Sequence, residues 1–491
     1  MTTGEKRGGA FQALGWTFLD QFAGRGVSFV VQLILARLLM PADFAQVAMI
    51  FIFIGIGEIL SDSGMTASLI RIKNPTQEDY SSVFYVNIFI ALLVYLLIYI
   101  LAPFVANFYK DSQLIFLLRI YGISIIIKSL SGVQSVILVK QLNFKRQFFI
   151  QLPSVIIGGI VGIYCAYAKM GAVSIVYMYL VQNAVSTIQY WVIEKWYPQI
   201  KINWQKLKMH FKFGYKLSAA YMINQVFEDS YNVYIGKFYS ADLLGYYNRA
   251  NAYTNLPAFV LTRSLSKVTY PLFSHYNDDA DKLRKLYREI TVIVMFAFSF
   301  FSAFLFFQAE NLFKIFLGDK WLGAVLIFKI QVIATLLYPL SSYNGNVIRA
   351  KGRSDLILKA MLFYRILTVA GFIICLGKSI YLLLYWQIFT VVIYTILFSI
   401  LVDRQIGYKF SKQVLDIIKL ILLSFAIAYL TNWVLVIILS KMHSPMVNLA
   451  SFVILYSALF LGVNYFIRSE AMSLFYNLVL KRFFKYLPVK S

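Results

Sequence analysis

Long, almost unbroken apolar runs separated by short polar connectors repeat fourteen times along the chain. Six fall at 12–38, 44–70, 81–108, 114–138, 148–168 and 171–193. After a basic loop come 213–236, 243–271, 290–309, 322–348, 356–376, 380–402, 413–438 and 447–467. Each run is about the twenty residues a helix needs to cross hydrocarbon. They are too long and too continuously apolar for barrel strands. The expected fold is therefore all-α, a polytopic membrane protein of about fourteen transmembrane helices.

Composition agrees: 60% of the 491 residues are apolar and 14% charged, against about 45–50% and 25% in soluble domains. The net charge of +24 would suggest nucleic acid on a soluble protein. Here the basic residues sit between apolar runs, so no nucleic-acid partner is expected. With the N-terminus placed inside, twenty-eight Lys and Arg fall in the tails and even-numbered connectors and eight in the odd-numbered ones. The positive-inside rule then puts both termini in the cytoplasm, which requires an even number of spans. The first run lacks a cleavage site and reads as a retained span. Outward connectors are short, the longest about 310–321. Trp191, Trp196, Trp204, Trp321, Tyr246 and Tyr247 read as interfacial anchors. Cys165 and Cys375 lie within apolar runs and read as small hydrophobes.

Two stretches about 199 residues apart are alike. Gly15, Trp16 to Leu35, Ala36, Arg37 and then Ala42, Asp43 pairs with Gly214, Tyr215 to Ile235, Gly236, Lys237 and then Ala241, Asp242. Six spans lie between equivalent points, so the copies share one orientation. Such parallel repeats build two lobes around an axis along the membrane normal. The division expected is 1–212 and 213–402 as six-helix lobes around a central cavity, with 403–491 as two added helices and a cytoplasmic tail.

Polar groups within the runs locate candidate chemistry, because a mid-bilayer charge costs about 2.5–3.5 kcal/mol even on insertion scales. Gln21, Arg25, Ser28 and Gln32 share one face of the first span, with Asp20 beside them; the stripe faces either a cavity or a neighbouring helix. Glu58 and Asp62, four apart, suggest a shared proton or cation, or solvation at a cytoplasmic end. Ser124, Lys128, Ser131 and Ser135 share a face, and so do Tyr221, Gln225, Glu228 and Asn232. The next span carries Arg249, Arg263 and Lys267. A cavity holding Arg25, Lys128 and Arg249 would attract an anionic head group, since guanidinium offers paired donors to phosphate. Gln21 and Gln32 would add hydrogen bonds, and Asp20, Glu58 and Glu228 are candidates for ion coupling. His210, His275 and His443 are dispersed, and neither a nucleotide loop nor a metal-spaced cluster occurs. Neither an enzyme nor a cofactor or metal is expected.

Leu35-Ala36-Arg37-Leu38-Leu39-Met40-Pro41-Ala42-Asp43-Phe44, Gly245-Tyr246-Tyr247-Asn248-Arg249-Ala250 and Tyr270-Pro271-Leu272-Phe273-Ser274 resemble Wzx-type polysaccharide flippases. These belong to the multidrug/oligosaccharidyl-lipid/polysaccharide exporter superfamily. The resemblance covers the first two-thirds of the chain. It implies two six-helix lobes, a cationic cavity and alternating access in the plasma (inner) membrane. It further implies an undecaprenyl-diphosphate-linked oligosaccharide for O-antigen, capsule or exopolysaccharide as cargo. Proton or sodium as coupling ion, membrane lipid around the polyprenyl tail, and polysaccharide assembly proteins complete the implied partners. Relatives that flip a cell-wall lipid precursor use arginines in their first helices, and Arg25 alone stands at a comparable place. A drug exporter of the same superfamily is the nearest rival and would favour an acid-dominated pocket, whereas these deep charges are mostly basic. A membrane polysaccharide polymerase would need a sizeable outer loop, which is absent from the sequence.

Overall fold

The computed structural model describes residues 24–438 and 444–476, apart from the side chains of 256, 259–261 and 263–268. Among these residues all regular structure is helical. The chain divides into two compact units between Gly245 and Tyr246.

The first unit contains α1 (Arg25–Leu38), α2 (Pro41–Asp62), α3 (Met65–Arg71), α4 (Gln77–Tyr109) and α5 (Gln113–Ser129). It continues with α6 (Gly132–Lys140), α7 (Phe144–Tyr167), α8 (Val173–Ile193), α9 (Trp204–Glu228) and α10 (Ser230–Phe238). Within a membrane, helices associate through close packing more than through hydrophobic burial, so small residues mark their seams. Gly158 and Gly162 on α7 face Met178 and Gln182 of α8 so closely that a Cβ would collide with them. Gly64, in the left-handed region at φ 66°, separates α2 from α3 and lies against the backbone of Gly214 on α9.

The two stretches matched in sequence form similar turns. α1 and α10 each end in a basic residue's turn (Arg37, Lys237), pass through two residues, and lead into a helix beginning X-Ala-Asp or Ala-Asp. Leu39 and Tyr239 are both extended, which lets the chain reverse within so short a link. At the first turn Asp43 accepts the Met40 N–H at 2.8 Å, satisfying a donor the helix leaves orphaned.

α11 (Ala241–His275) crosses the division. The second unit holds α12 (Ala280–Phe307), α13 (Ala309–Phe316), a 3-10 turn (Asp319–Trp321), α14 (Ala324–Thr335) and α15 (Tyr338–Ala350). After them come α16 (Ser354–Ile374), α17 (Ile380–Ile406), α18 (Phe410–Ile438), α19 (Pro445–Phe466) and α20 (Glu470–Phe475). The last three pack against α12 through one core: Phe296 and Phe300 meet Tyr456 and Phe460, with Phe300 stacked on Tyr456 at 4.7 Å. Arg288 of α12 completes the joint, donating to Asp416 at 2.7 Å and to both oxygens of Glu470 at 2.6 and 2.7 Å.

Among the described residues nine helices are long and apolar enough to span a membrane, or ten with the α5–α6 pair, which bends by 44°. α8, α9 and α11 occupy three of the remaining expected runs. They fall outside the nine because they carry amides, hydroxyls and charges along their length.

Candidate functional site

In the first unit α2 and α5 pack side by side, and both break at comparable points. α2 ends at Asp62 before Ser63 and Gly64, both in the left-handed region. α5 ends at Ser129, and the chain bends through Leu130 and Ser131 into α6. A helix break exposes backbone carbonyls that lipid cannot satisfy, so other groups must. α8 supplies them: Thr187 Oγ1 donates to the Ile127 carbonyl at 3.1 Å and Trp191 Nε1 to that of Leu130 at 2.9 Å. Discontinuous helices of this kind form the binding sites of many transporters.

Glu58 and Lys128 stand beside these breaks. Lys128 Nζ donates to Glu58 Oε1 at 2.6 Å, with the Lys128 side chain 45% exposed and that of Glu58 31%. Glu58 and Asp62, four apart in sequence, thus take different side-chain partners. Asp62 instead takes the Thr66 hydroxyl at 2.9 Å and the Asn87 amide at 3.4 Å. The polar stripe drawn through Ser124, Lys128, Ser131 and Ser135 is likewise interrupted. Ser124 is fully buried while Lys128 is exposed, and the 44° bend turns Ser131 and Ser135 away from the line of α5.

Two helical turns before the ion pair, Phe51 of α2, Tyr121 of α5 and Tyr179 of α8 form a ring triad with centroids 5.6–6.0 Å apart. Residues seven apart lie on one helical face, so Phe51 with Glu58 and Tyr121 with Lys128 compose one wall. Gln32 of α1 joins it, donating to the Tyr179 hydroxyl at 3.3 Å. This triad escaped the sequence because aromatic residues in apolar runs carry no distinguishing signal. Arg25 is exposed on α1, two turns before Gln32. Asp20 and Gln21 lie outside the described residues.

The α9–α10 break reorganises the face of Tyr221, Gln225, Glu228 and Asn232. Gln225 and Asn232 both donate to Asp229, at 2.6 and 3.4 Å, whereas Glu228 is exposed and accepts from Asn224 at 3.2 Å. Gln225 also lies against Gly55 of α2. The carboxylate with an amide collar is thus Asp229, the neighbour of the residue singled out. The break at Asp229 dissolves the regular spacing on which that choice rested.

In the second unit Arg249 is partly buried and donates to Asn248 at 3.0 Å. The side chains of Arg263 and Lys267 lie outside the described set. Arg365, halfway along α16, has its guanidinium 5.8 Å from the Tyr364 ring centroid, and Tyr364 packs on Tyr394 at 4.9 Å. A lone arginine in the middle of an apolar run is a signal that the sequence itself carries.

At the basic-loop end of the first unit His210 is fully buried. Its ring nitrogens lie 3.0 Å from Ser68 Oγ and 3.3 Å from Asp79 Oδ1. Burial pushes its imidazole below the usual histidine range, with Lys206 and Arg71 adding to the shift and Asp79 opposing it.

With this geometry in hand, comparison with known proteins places the chain. The model of a family described as "Polysaccharide biosynthesis protein" matches residues 34–326. The teichuronic acid biosynthesis protein TuaB of Bacillus subtilis is 27% identical over 305 residues, 61% of this chain and 62% of TuaB. The chain therefore aligns with somewhat under two thirds of that relative's length. The lipopolysaccharide biosynthesis protein WzxC of Escherichia coli is 20% identical over 82% of each chain. The succinoglycan biosynthesis transport protein ExoT of Rhizobium meliloti is 22% identical over 67% of each. Among solved structures, lipid II flippase MurJ in an inward closed conformation superposes with a TM-score of 0.70 at 16% identity, covering 93% of this chain and 99% of its own. An inward-facing multidrug resistance MATE transporter of the MOP superfamily gives 0.58 at 14%, covering 81% and 99%. The helical transporter fold is thus shared, and with well over half its length matched, this multi-pass membrane protein belongs to the polysaccharide biosynthesis protein family.

Proposed function

We propose that the protein is a flippase carrying an undecaprenyl-diphosphate-linked oligosaccharide from the cytoplasmic to the outer leaflet of the plasma (inner) membrane, by alternating access of two lobes, 1–212 and 213–402. Both termini are cytoplasmic, and 403–491 is an addition to the lobes. Family membership supports the pathway, and the names of ExoT as a transport protein and MurJ as a lipid II flippase support the direction of the reading.

The observation that carries it is the Lys128–Glu58 pair at two helix breaks. A charge far inside a membrane needs a partner, and here the partner is exchangeable. An arriving diphosphate offers oxygens that compete with Glu58 for Lys128. Glu58, released, is left as a carboxylate that must take a proton or sodium ion. Substrate entry and ion uptake are then two sides of one exchange. Arg25 and Arg249 add planar donors for phosphate, Gln21 and Gln32 hydrogen-bond the bridging region, and Asp20 and Glu228 are further acids for coupling. The polyprenyl tail stays in membrane lipid, and polysaccharide assembly proteins receive the product.

The test is the distribution of lipid-linked oligosaccharide between leaflets, with and without the gene, in cells lacking a substitute flippase. Loss of the outer-leaflet pool on deletion is expected, with recovery by the wild-type gene and failure of recovery by Lys128→Ala or Arg25→Ala at normal protein levels. An unchanged outer pool on deletion overturns the proposal.

A further inference from the structure

Three connectors of the first unit converge at the end opposite its basic loops. Asp43 and Gln46 open α2, Gln113, Phe116 and Leu117 open α5, and Lys169–Val173 joins α7 to α8; together they line a cavity of about 390 Å³. That volume is within the roughly 300–1,000 Å³ of small-ligand sites. The walls are fixed by their own bonds. Gln46 Nε2 donates to Asp111 Oδ2 at 2.7 Å and to Gln113 Oε1 at 2.9 Å, and Asp111 Oδ1 accepts the Gln113 N–H at 3.0 Å. Gly171, at φ 59°, lies so near Asp43 that a Cβ would stand 2.8 Å from its Oδ1. Among the described residues these bonds leave Gln46 Oε1 without a donor, Gln113 Nε2 without an acceptor and the Lys169 ammonium without a partner. Phe116 and Met170, 52% and 41% exposed, add an apolar wall.

The mixture selects a ligand class. Carboxylates at Asp43 and Asp111 repel phosphate, while Lys169 and the Gln113 amide present donors that a cation cannot use. Sugar hydroxyls donate and accept at once, so they can use Gln46 Oε1, Gln113 Nε2, Lys169 and the remaining carboxylate lone pairs together. The C–H face of a sugar ring suits an exposed aromatic such as Phe116. We infer that this pocket is a glycan subsite, holding sugar residues of the cargo on the outer side of the first unit. The inference rests on the proposed function for its cargo and on the orientation given by the basic loops.

The experiment uses the full chain in lipid nanodiscs and, as probe, oligosaccharides made by partial acid hydrolysis of the producing cell's own surface polysaccharide. Saturable binding by wild type is expected. Gln46→Ala combined with Gln113→Ala should weaken it at least ten-fold, and so should Phe116→Ala, whose exposed ring can be removed without disturbing the core. Inorganic phosphate should not compete. Absence of wild-type binding, or equal binding by both variants, overturns the subsite. Gene-independent appearance of lipid-linked oligosaccharide in the outer leaflet would instead overturn the transport reading, while sugar binding that depends on Gln46 and Phe116 would stand.

Discussion

Lys128 and Glu58 meet across seventy residues of sequence, and the consequence of removing them separates stability from transport. Deleting one partner of a charged pair leaves the other desolvated, whereas replacing both by neutral groups of similar shape is often nearly neutral for stability. The double variant Glu58→Gln, Lys128→Met should therefore insert and accumulate like wild type, yet lower polymer export at least ten-fold. Export at wild-type levels from the double variant would reduce the pair to a structural contact. His210 makes a different prediction, through protons. A free histidine titrates near 6.5, and the buried ring takes its proton at a lower pH. Where the unfolded state binds more protons than the folded one, stability falls with falling pH. The stability associated with the neutral ring is thus complete above about pH 6.5 and lost as pH drops from there toward the lower folded value. Thermal melting of the detergent-purified protein between pH 7.5 and 5 should show this decline, and His210→Gln should flatten it. An unchanged slope in the variant would assign the decline to other groups.

At the scale of elements, the apolar runs were legible because hydrocarbon imposes a minimum length that few other folds demand. Helices stand at every expected run within the described residues. What the runs concealed were their interruptions: Ser63–Gly64, Leu130–Ser131, Asp229 and Leu336–Leu337. A break depends on what a neighbouring helix can offer the freed carbonyls, as Thr187 and Trp191 do at Leu130, and this is not local information. The same reasoning explains the site. Lys128 and Glu58 were separately conspicuous as deep charges, but their pairing, the Asp229 collar and the Phe51–Tyr121–Tyr179 wall arise only from packing. The attachment of α18–α20 to α12 was equally hidden, because Arg288 reads from sequence as one more cytoplasmic cation. Arg288→Ala leaves Asp416 and Glu470 without their shared donor. The clamp is partly exposed, so the expected loss is modest, about 1–2 kcal/mol, and should appear as faster hydrogen exchange confined to α20. The Arg288 hydrogen bonds also hold the Glu470 carboxyl below the ordinary glutamate range. Its contribution is full above about pH 4.3 and disappears as pH falls through the lower folded value, so wild type and Arg288→Ala should converge in strong acid.

For the whole molecule, the proposed direction of transport and the side on which the proposed glycan pocket opens follow from one property, the placement of basic residues. Twenty-eight in the set expected inside against eight in the set expected outside is a bias that insertion reads directly, and it can be checked without a substrate. The two native cysteines, Cys165 and Cys375, are free and buried, so a membrane-impermeant maleimide should label the wild-type protein weakly. Lys169 and Lys378 are exposed in connectors on the side expected outside, and Lys201 and Arg353 on the opposite side. In intact cells with a permeable or absent outer barrier, Lys169→Cys and Lys378→Cys should react at once, while Lys201→Cys and Arg353→Cys should react only after lysis. Because the four positions are spread along the chain in the order outside, inside, inside, outside, a single misplaced span would reverse those beyond it and reveal where the count fails. Complete reversal would carry the Asp43–Gln46–Lys169 pocket to the cytoplasmic side, where it would meet the cargo's sugars at entry instead of release.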